Sequence, residues 1–271
     1  MDPATLLLDR EKLLALADEE RAAYAAAQPF PHAVFDDVFD AAVLERVLEE
    51  FPAPSEVEWE RFDDAMQKKL ANRRQEQMGA VTRLFLSQLN AAAFVEFLER
   101  LTGIEGLVPD PHLDGGGLHQ IQRGGLLKVH VDFERHSHLD LDRRLNVLLY
   151  LNREWEESHG GHLELWDPEM TRCERRVLPT FNRMVVFSTT ASSYHGHPDP
   201  LTCPEGASRK SLALYYYSNG RPAHERSSSA ARSTVFKRRP GERIGPSLHE
   251  AVQLFVPPVL SSALEKLGRR R

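Results

Sequence analysis

Between Leu118 and Ser218 the chain passes through seven short apolar runs, rich in β-branched, aromatic and leucine residues and separated by glycine, proline and charge. They fall near 118–122, 126–131, 144–152, 162–167, 174–178, 183–188 and 209–218. Short strands at such turn-punctuated spacing indicate a β-sandwich or barrel. The preceding residues read as helical. Leu6, Leu7, Leu13, Leu14 and Leu16 predict a helix ending near Ala27, where Gln28-Pro-Phe-Pro breaks it because proline cannot sit in a helix interior. Ala33-Val-Phe reads as a short strand. Asp40 can cap a second helix carrying Val43, Leu44, Val47 and Leu48, and Phe51-Pro-Ala-Pro closes it. A third is expected from about Leu84 through Leu101, stopping at Thr102-Gly103. Residues 55–80 read as an irregular segment and a candidate lid.

The expected architecture is mostly β with α, in three parts. A helical region, 1–110, packs on a β-core, 111–222. An extension, 223–271, carries the basic stretch Lys237 to Arg243, read as a solvated face, and a final helix from Leu260 to Leu267. With 271 residues, 41% of them apolar, the chain can bury a large core without metal or disulfide staples. A metal site here therefore needs a functional reason. A formal charge of −6 argues against a dedicated nucleic-acid binder. No apolar run approaches the ~20 residues that span a bilayer. Two cysteines, Cys173 and Cys203, lack metal-ligand spacing and fit a reducing compartment. The acidic start lacks the basic residues of a signal peptide, so a cytoplasmic protein is expected.

Three places carry chemistry. In Leu126-Leu-Lys-Val-His-Val-Asp, strand alternation sends His130 and Asp132 to one face. With one distant histidine they would complete the 2-His-1-carboxylate triad of non-haem iron; alone, a His-x-Asp is far more often a hydrogen-bonded pair steadying a strand end. Tyr194-His-Gly-His-Pro offers two third ligands, 65 and 67 positions on. His195 is preferred, because the following glycine lets backbone and metal come close; His197, before proline, suits a turn. In Ser208-Arg-Lys-Ser-Leu-Ala-Leu-Tyr-Tyr-Tyr217, Arg209, Ser211, Ala213, Tyr215 and Tyr217 share a face. If that face is internal, the guanidinium needs an anion such as a carboxylate; the alternative is a surface arginine on an edge strand. His136 and His138 are placed near the mouth of such a site, His159 and His162 on the surface, and Trp155 and Trp166 in packing roles.

Taken in order, His130-Val-Asp132, Asn146-Val-Leu-Leu-Tyr-Leu-Asn152, Gly160-Gly-His-Leu163, Phe181-Asn-Arg-Met-Val-Val-Phe187, His195 and Arg209-Lys-Ser211 resemble the iron(II)- and 2-oxoglutarate-dependent dioxygenases, nearest the prolyl-4-hydroxylase-like group. The resemblance implies a double-stranded β-helix (jelly-roll, cupin-like) core packed against the N-terminal helices. It implies His130, Asp132 and His195 as ligands of Fe(II). It also implies Arg209, Ser211, Tyr150 and Asn146 as lining the pocket of the cosubstrate 2-oxoglutarate, with O2 as oxidant and ascorbate as an accessory reductant. The implied activity is hydroxylation of an amino-acid, peptidyl (proline included) or small-molecule C–H bond, releasing succinate and CO2. Related halogenases replace the carboxylate ligand, so Asp132 favours hydroxylation. Many relatives carry a tyrosine shortly before the His-x-Asp, where this chain has His119-Gln-Ile-Gln; Gln120 or Gln122 is expected to take its place. The alternatives are a metal β-barrel enzyme that does not use 2-oxoglutarate and a non-catalytic binding barrel.

Overall fold

The computed structural model describes residues 8–222, 225 and 233–242. Its helices are α1 (Arg10–Ala26), α2 (Ala41–Glu49), α3 (Ala80–Leu89) and α4 (Ala92–Thr102). The strands are β1 (His32–Asp36), β2 (Glu60–Asp63), β3 (Gln67–Asn72), β4 (Val108–Pro109), β5 (Gly117–Gln122), β6 (Leu126–Val131) and β7 (Asp142–Tyr150). They continue with β8 (Leu163–Trp166), β9 (Cys173–Val177), β10 (Arg183–Ser188), β11 (His195–His197), β12 (Ser208–Ser218) and β13 (Val235–Phe236). The antiparallel path β1-β10-β7-β12-β5-β3-β6-β11-β8-β9 curls into a nearly closed barrel, a double-stranded β-helix; β2, β4 and β13 pair with β3, β12 and β6 off this path.

β7, β10 and β12 read as continuous apolar runs because both of their faces are covered. Outward, Leu145, Val147, Met184, Val186, Leu212, Leu214 and Tyr216 pack under the helices, against Leu44, Leu89, Phe94 and Phe97. Inward, Tyr150, Val185 and Phe187 meet Leu163, Leu165 and Val177 from the opposite wall. The Tyr216 hydroxyl donates to the Leu89 carbonyl at 2.6 Å, tying β12 to α3. Phe94, fully buried, lies 5.4 Å from Phe97 and 6.2 Å from both Phe39 and Tyr216, ring to ring. Phe94→Ala should therefore cost about 3–5 kcal/mol of unfolding free energy, read as a lowered urea midpoint.

The expected caps are present: the side chains of Asp9 and Asp40 accept from the backbone N–H groups of Lys12 and Ala42. Several expectations need correction. The helix expected over 84–101 is two helices, since Asn90 turns its amide back onto the Leu86 carbonyl at 2.9 Å and Ala91 is extended. The segment 55–80 is not irregular: β2 and β3 form a hairpin, and β3 is built into the barrel between β5 and β6. Its strand period was hidden because β3 alternates inward polar residues with outward Lys68 and Leu70. The N-terminal region thus adds four strands to its helices. The basic stretch, as far as Glu242, packs on the barrel: β13 pairs with β6, and Arg239 and Glu242 form ion pairs with Asp199 and Lys128. Leu6, Leu7, Arg243 and the helix expected at 260–267 lie outside the described residues.

Candidate active site

β6 and β11 run antiparallel with His195 directly opposite His130. Gly196 permits this approach, because a Cβ there would stand only 2.8 Å from the Leu127 carbonyl oxygen. The two rings lie 4.4 Å apart between centroids. Each Nδ1 donates to a backbone carbonyl two residues earlier, of Lys128 and of Ser193, at 2.9 Å in both cases. This holds the tautomer with the Nε2 lone pair facing inward, the usual preparation of a metal-binding imidazole. The Asp132 carboxylate lies 3.6 Å from His130 Nε2 and 3.4 Å from His195 Nε2. Potential ligand atoms of the three residues all fall within 4.8 Å of one another. Two imidazole nitrogens and one carboxylate oxygen are the donor set of a non-haem Fe(II) facial triad, and they fit that ion. His195 is the histidine in this cluster. His197, also buried and lining the same cavity, has neither ring nitrogen hydrogen-bonded.

The sequence reading missed Arg143. Only 1% exposed, it lies 3.0 Å from Asp132 and is stacked on Tyr215 at 3.4 Å from the ring centroid. Its Nε and Nη2 also donate to Asn146 Oδ1, and Asn146 Nδ2 donates to Asp132 Oδ2 at 2.7 Å. Burial alone would raise the Asp132 pKa; Arg143 and the two imidazoles outweigh it and hold the carboxyl well below its ordinary value. Burial pushes His195 down to about 4, so its ring is neutral and able to ligate at pH 7. Asn146 therefore lines the cavity as expected, but it is bonded to the metal-ligand carboxylate. No strand-period signal pointed to Arg143: alternation puts it on the face of β7 opposite Asn146, and only the bulge at Arg144, where Tyr216 and Tyr217 face Leu145 and Arg143, brings it to the cavity side.

The cavity encloses about 370 Å³. Arg209 and Ser211 both face it from β12, as the alternation predicts. Arg209 is 4% exposed, and its partners are neutral: Nε donates to the Gly161 carbonyl at 2.8 Å and Nη2 to the Tyr150 hydroxyl at 3.2 Å. Gly161, at φ 73°, leaves room for this side chain, since a Cβ would stand 3.0 Å from Arg209 Cδ. Tyr217, paired across the strands with Arg143, is not part of the cavity lining; its ring packs on His136 at 5.0 Å. On β5 the residues facing the cavity are His119 and Ile121, not the glutamines. Gln120 points the other way, to the Ser208 hydroxyl at 2.8 Å, and Gln122 is exposed. His136 is buried against Tyr217 and Asp110, between Arg135 and Ser137, which line the cavity. His162 is corrected: it is buried beside Glu157, not on the surface.

Residues 116–217 match the family described as 2OG-Fe(II) oxygenase superfamily. Over 136 residues, 49% of this chain, the sequence is 25% identical to prolyl 3-hydroxylase OGFOD1 of Mus musculus, and the match spans 23% of that relative's length. Among solved structures, a Pseudomonas putida prolyl-4-hydroxylase superposes with a TM-score of 0.52 at 17% identity, covering 76% of this chain and all of the other. A Trichoplax adhaerens prolyl hydroxylase, solved with a hypoxia-inducible-factor peptide, gives 0.50 at 16%, covering 77% and 90%. At these identities the solved structures speak for the fold alone. Through residues 116–217 the chain is similar to the 2OG-Fe(II) oxygenase superfamily, and the assembled triad agrees with that likeness.

Proposed function

We propose that the protein is an Fe(II)- and 2-oxoglutarate-dependent dioxygenase that hydroxylates a C–H bond, foremost of a peptidyl proline, with release of succinate and CO2. The observation that carries this reading is Arg209, a buried guanidinium without a carboxylate partner among the described residues, facing the cavity that contains the triad. An unpaired buried charge is costly, so the site is built for an anion that arrives from outside. Arg209, with Ser211 beside it and Tyr150 behind it, would take the distal carboxylate of 2-oxoglutarate. His130, Asp132 and His195 would hold Fe(II), which supplies the redox chemistry that couples O2 to oxidative decarboxylation of the cosubstrate. Arg143 and Asn146 keep Asp132 ionised and oriented. Phe187, 4.7 Å from the His195 ring, and Phe236, 5.6 Å from His130, shield the imidazoles from water.

The prolyl substrate is supported by the prolyl hydroxylase activities named for the mouse relative and the Trichoplax structure. A cytoplasmic, reducing setting goes with this reading, in which Cys173 and Cys203 are free thiols. A barrel enzyme without 2-oxoglutarate, or a non-catalytic barrel, leaves Arg209 without a purpose. The test is succinate release under Fe(II), ascorbate and 2-oxoglutarate with a panel of proline peptides and free amino acids, alongside direct titration with 2-oxoglutarate. Saturable 2-oxoglutarate binding with peptide-stimulated succinate is expected; absence of 2-oxoglutarate binding would end the proposal.

A further inference from the structure

The hairpin that β3 brings into the barrel carries a second cation into the cavity. Gln67, Lys69 and Ala71 line it, while Lys68 pairs with Asp63 on the outside and Leu70 joins the core under the helices. The Lys69 ammonium sits 5.0 Å from the Phe62 ring centroid and makes no hydrogen bond or ion pair among the described residues. Burial draws its pKa below that of an ordinary lysine, and the acids that act on it, Asp132 and Glu60, do so from beyond ion-pair distance. The acids lining the cavity are otherwise engaged. Asp114 is held by Arg73 at 2.8 Å, Asp132 by Arg143, and Glu60 is exposed on the hairpin. His119 and His197, which share the wall, are held neutral by burial, with Lys69 and Arg209 adding to the effect.

The cations of the cavity then outnumber the anions. Asp132 serves Fe(II) and Arg143 together, one carboxylate of 2-oxoglutarate completes the charge of the metal, and the other takes Arg209. Lys69 has no counter-charge among the described residues, and a half-buried ammonium on a cavity wall gains most from an anion that enters the cavity. We propose that Lys69 receives a carboxylate of the substrate, so that the molecule hydroxylated here carries an acidic group close to the reacting carbon. This deepens the oxygenase reading and rests on it. The carboxylate can belong to an acidic side chain beside a peptidyl proline or to the α-carboxyl of a free amino acid.

Calorimetric titration of the full chain, loaded with Zn(II) and 2-oxoglutarate so that no turnover occurs, separates these sources. One pair of probes is a capped proline pentapeptide with Glu beside the proline and its Gln isostere; the other is L-proline and L-prolinamide. In one pair the acid should bind about tenfold or more tightly than its amide, the yield of a single charge-assisted hydrogen bond. Lys69→Met should abolish that preference, and Lys69→Glu should reverse it. No preference for either acid in the wild type, or a preference that survives Lys69→Met, overturns the inference while leaving the oxygenase reading standing. A tenfold loss of 2-oxoglutarate affinity in Lys69→Met would place this residue on the cosubstrate and overturn it too. A wild type that binds no 2-oxoglutarate removes the reading beneath it.

Discussion

His130→Ala and His195→Ala should each abolish Fe(II)-dependent turnover and reduce metal affinity beyond the range of a calorimetric titration, while the thermal unfolding midpoint of the apo-protein stays near that of the wild type. Each change removes one of only three protein ligands, and the large core does not rely on metal for its stability. Asp132→Ala should lose the metal equally but also destabilise the apo-protein, because it strands Arg143, a 1% exposed guanidinium, without its carboxylate. Asn146→Ala, which removes a hydrogen bond to the ligand and leaves the ligand itself in place, should weaken metal binding by about 10–100-fold. His197→Ala should retain the metal, since the imidazole opposite His130 belongs to His195. Metal loss in His197→Ala together with metal retention in His195→Ala would reverse the assignment of the third ligand.

Arg209→Ala should raise the dissociation constant for 2-oxoglutarate by about two to three and a half orders of magnitude, from the ~3–5 kcal/mol lost when one partner of a buried charge pair is removed. The large size follows from the site: the cosubstrate's carboxylate would enter the same buried cavity wall and find only neutral groups, Tyr150 and Ser211. Tyr150→Phe is the graded companion. Its hydroxyl accepts from Arg209 at 3.2 Å, so its removal should cost about 0.5–1.5 kcal/mol, or up to ~3 if it also bonds the charged carboxylate. Titration of both variants with 2-oxoglutarate under anaerobic conditions reads these effects without turnover. Unchanged affinity in Arg209→Ala would remove the cosubstrate pocket and favour a metal enzyme of another kind.

What could be read from the sequence was whatever depends on strand alternation and nearest neighbours. His130 with Asp132, and Arg209 with Ser211, are pairs two residues apart on single strands, and the period of the pleat puts each pair on one face wherever the strand goes. The caps at Asp9 and Asp40 and the apolar runs of β7, β10 and β12 are local in the same sense. The wrong expectations were also local readings. The hairpin at 60–72 escaped because its inward face is polar, lining a cavity where a core strand would be apolar. Gln120 and Gln122 were placed by proximity in sequence, and one step of pleat turned His119 inward instead.

Tertiary structure alone decided the contacts that cross the barrel. Register between β6 and β11 chose His195 over its neighbour two residues on, and a bulge in β7 at Arg144 turned Arg143 to the side of Asn146. Arg143 and Asn146 reach Asp132 because a loop returns β7 beside the end of β6, and Lys69 enters because β3 inserts between strands that follow it by about fifty residues. Alternation sets which way a side chain points. The group it meets depends on long-range antiparallel pairing, whose register is fixed by the burial of whole faces and not by any one segment.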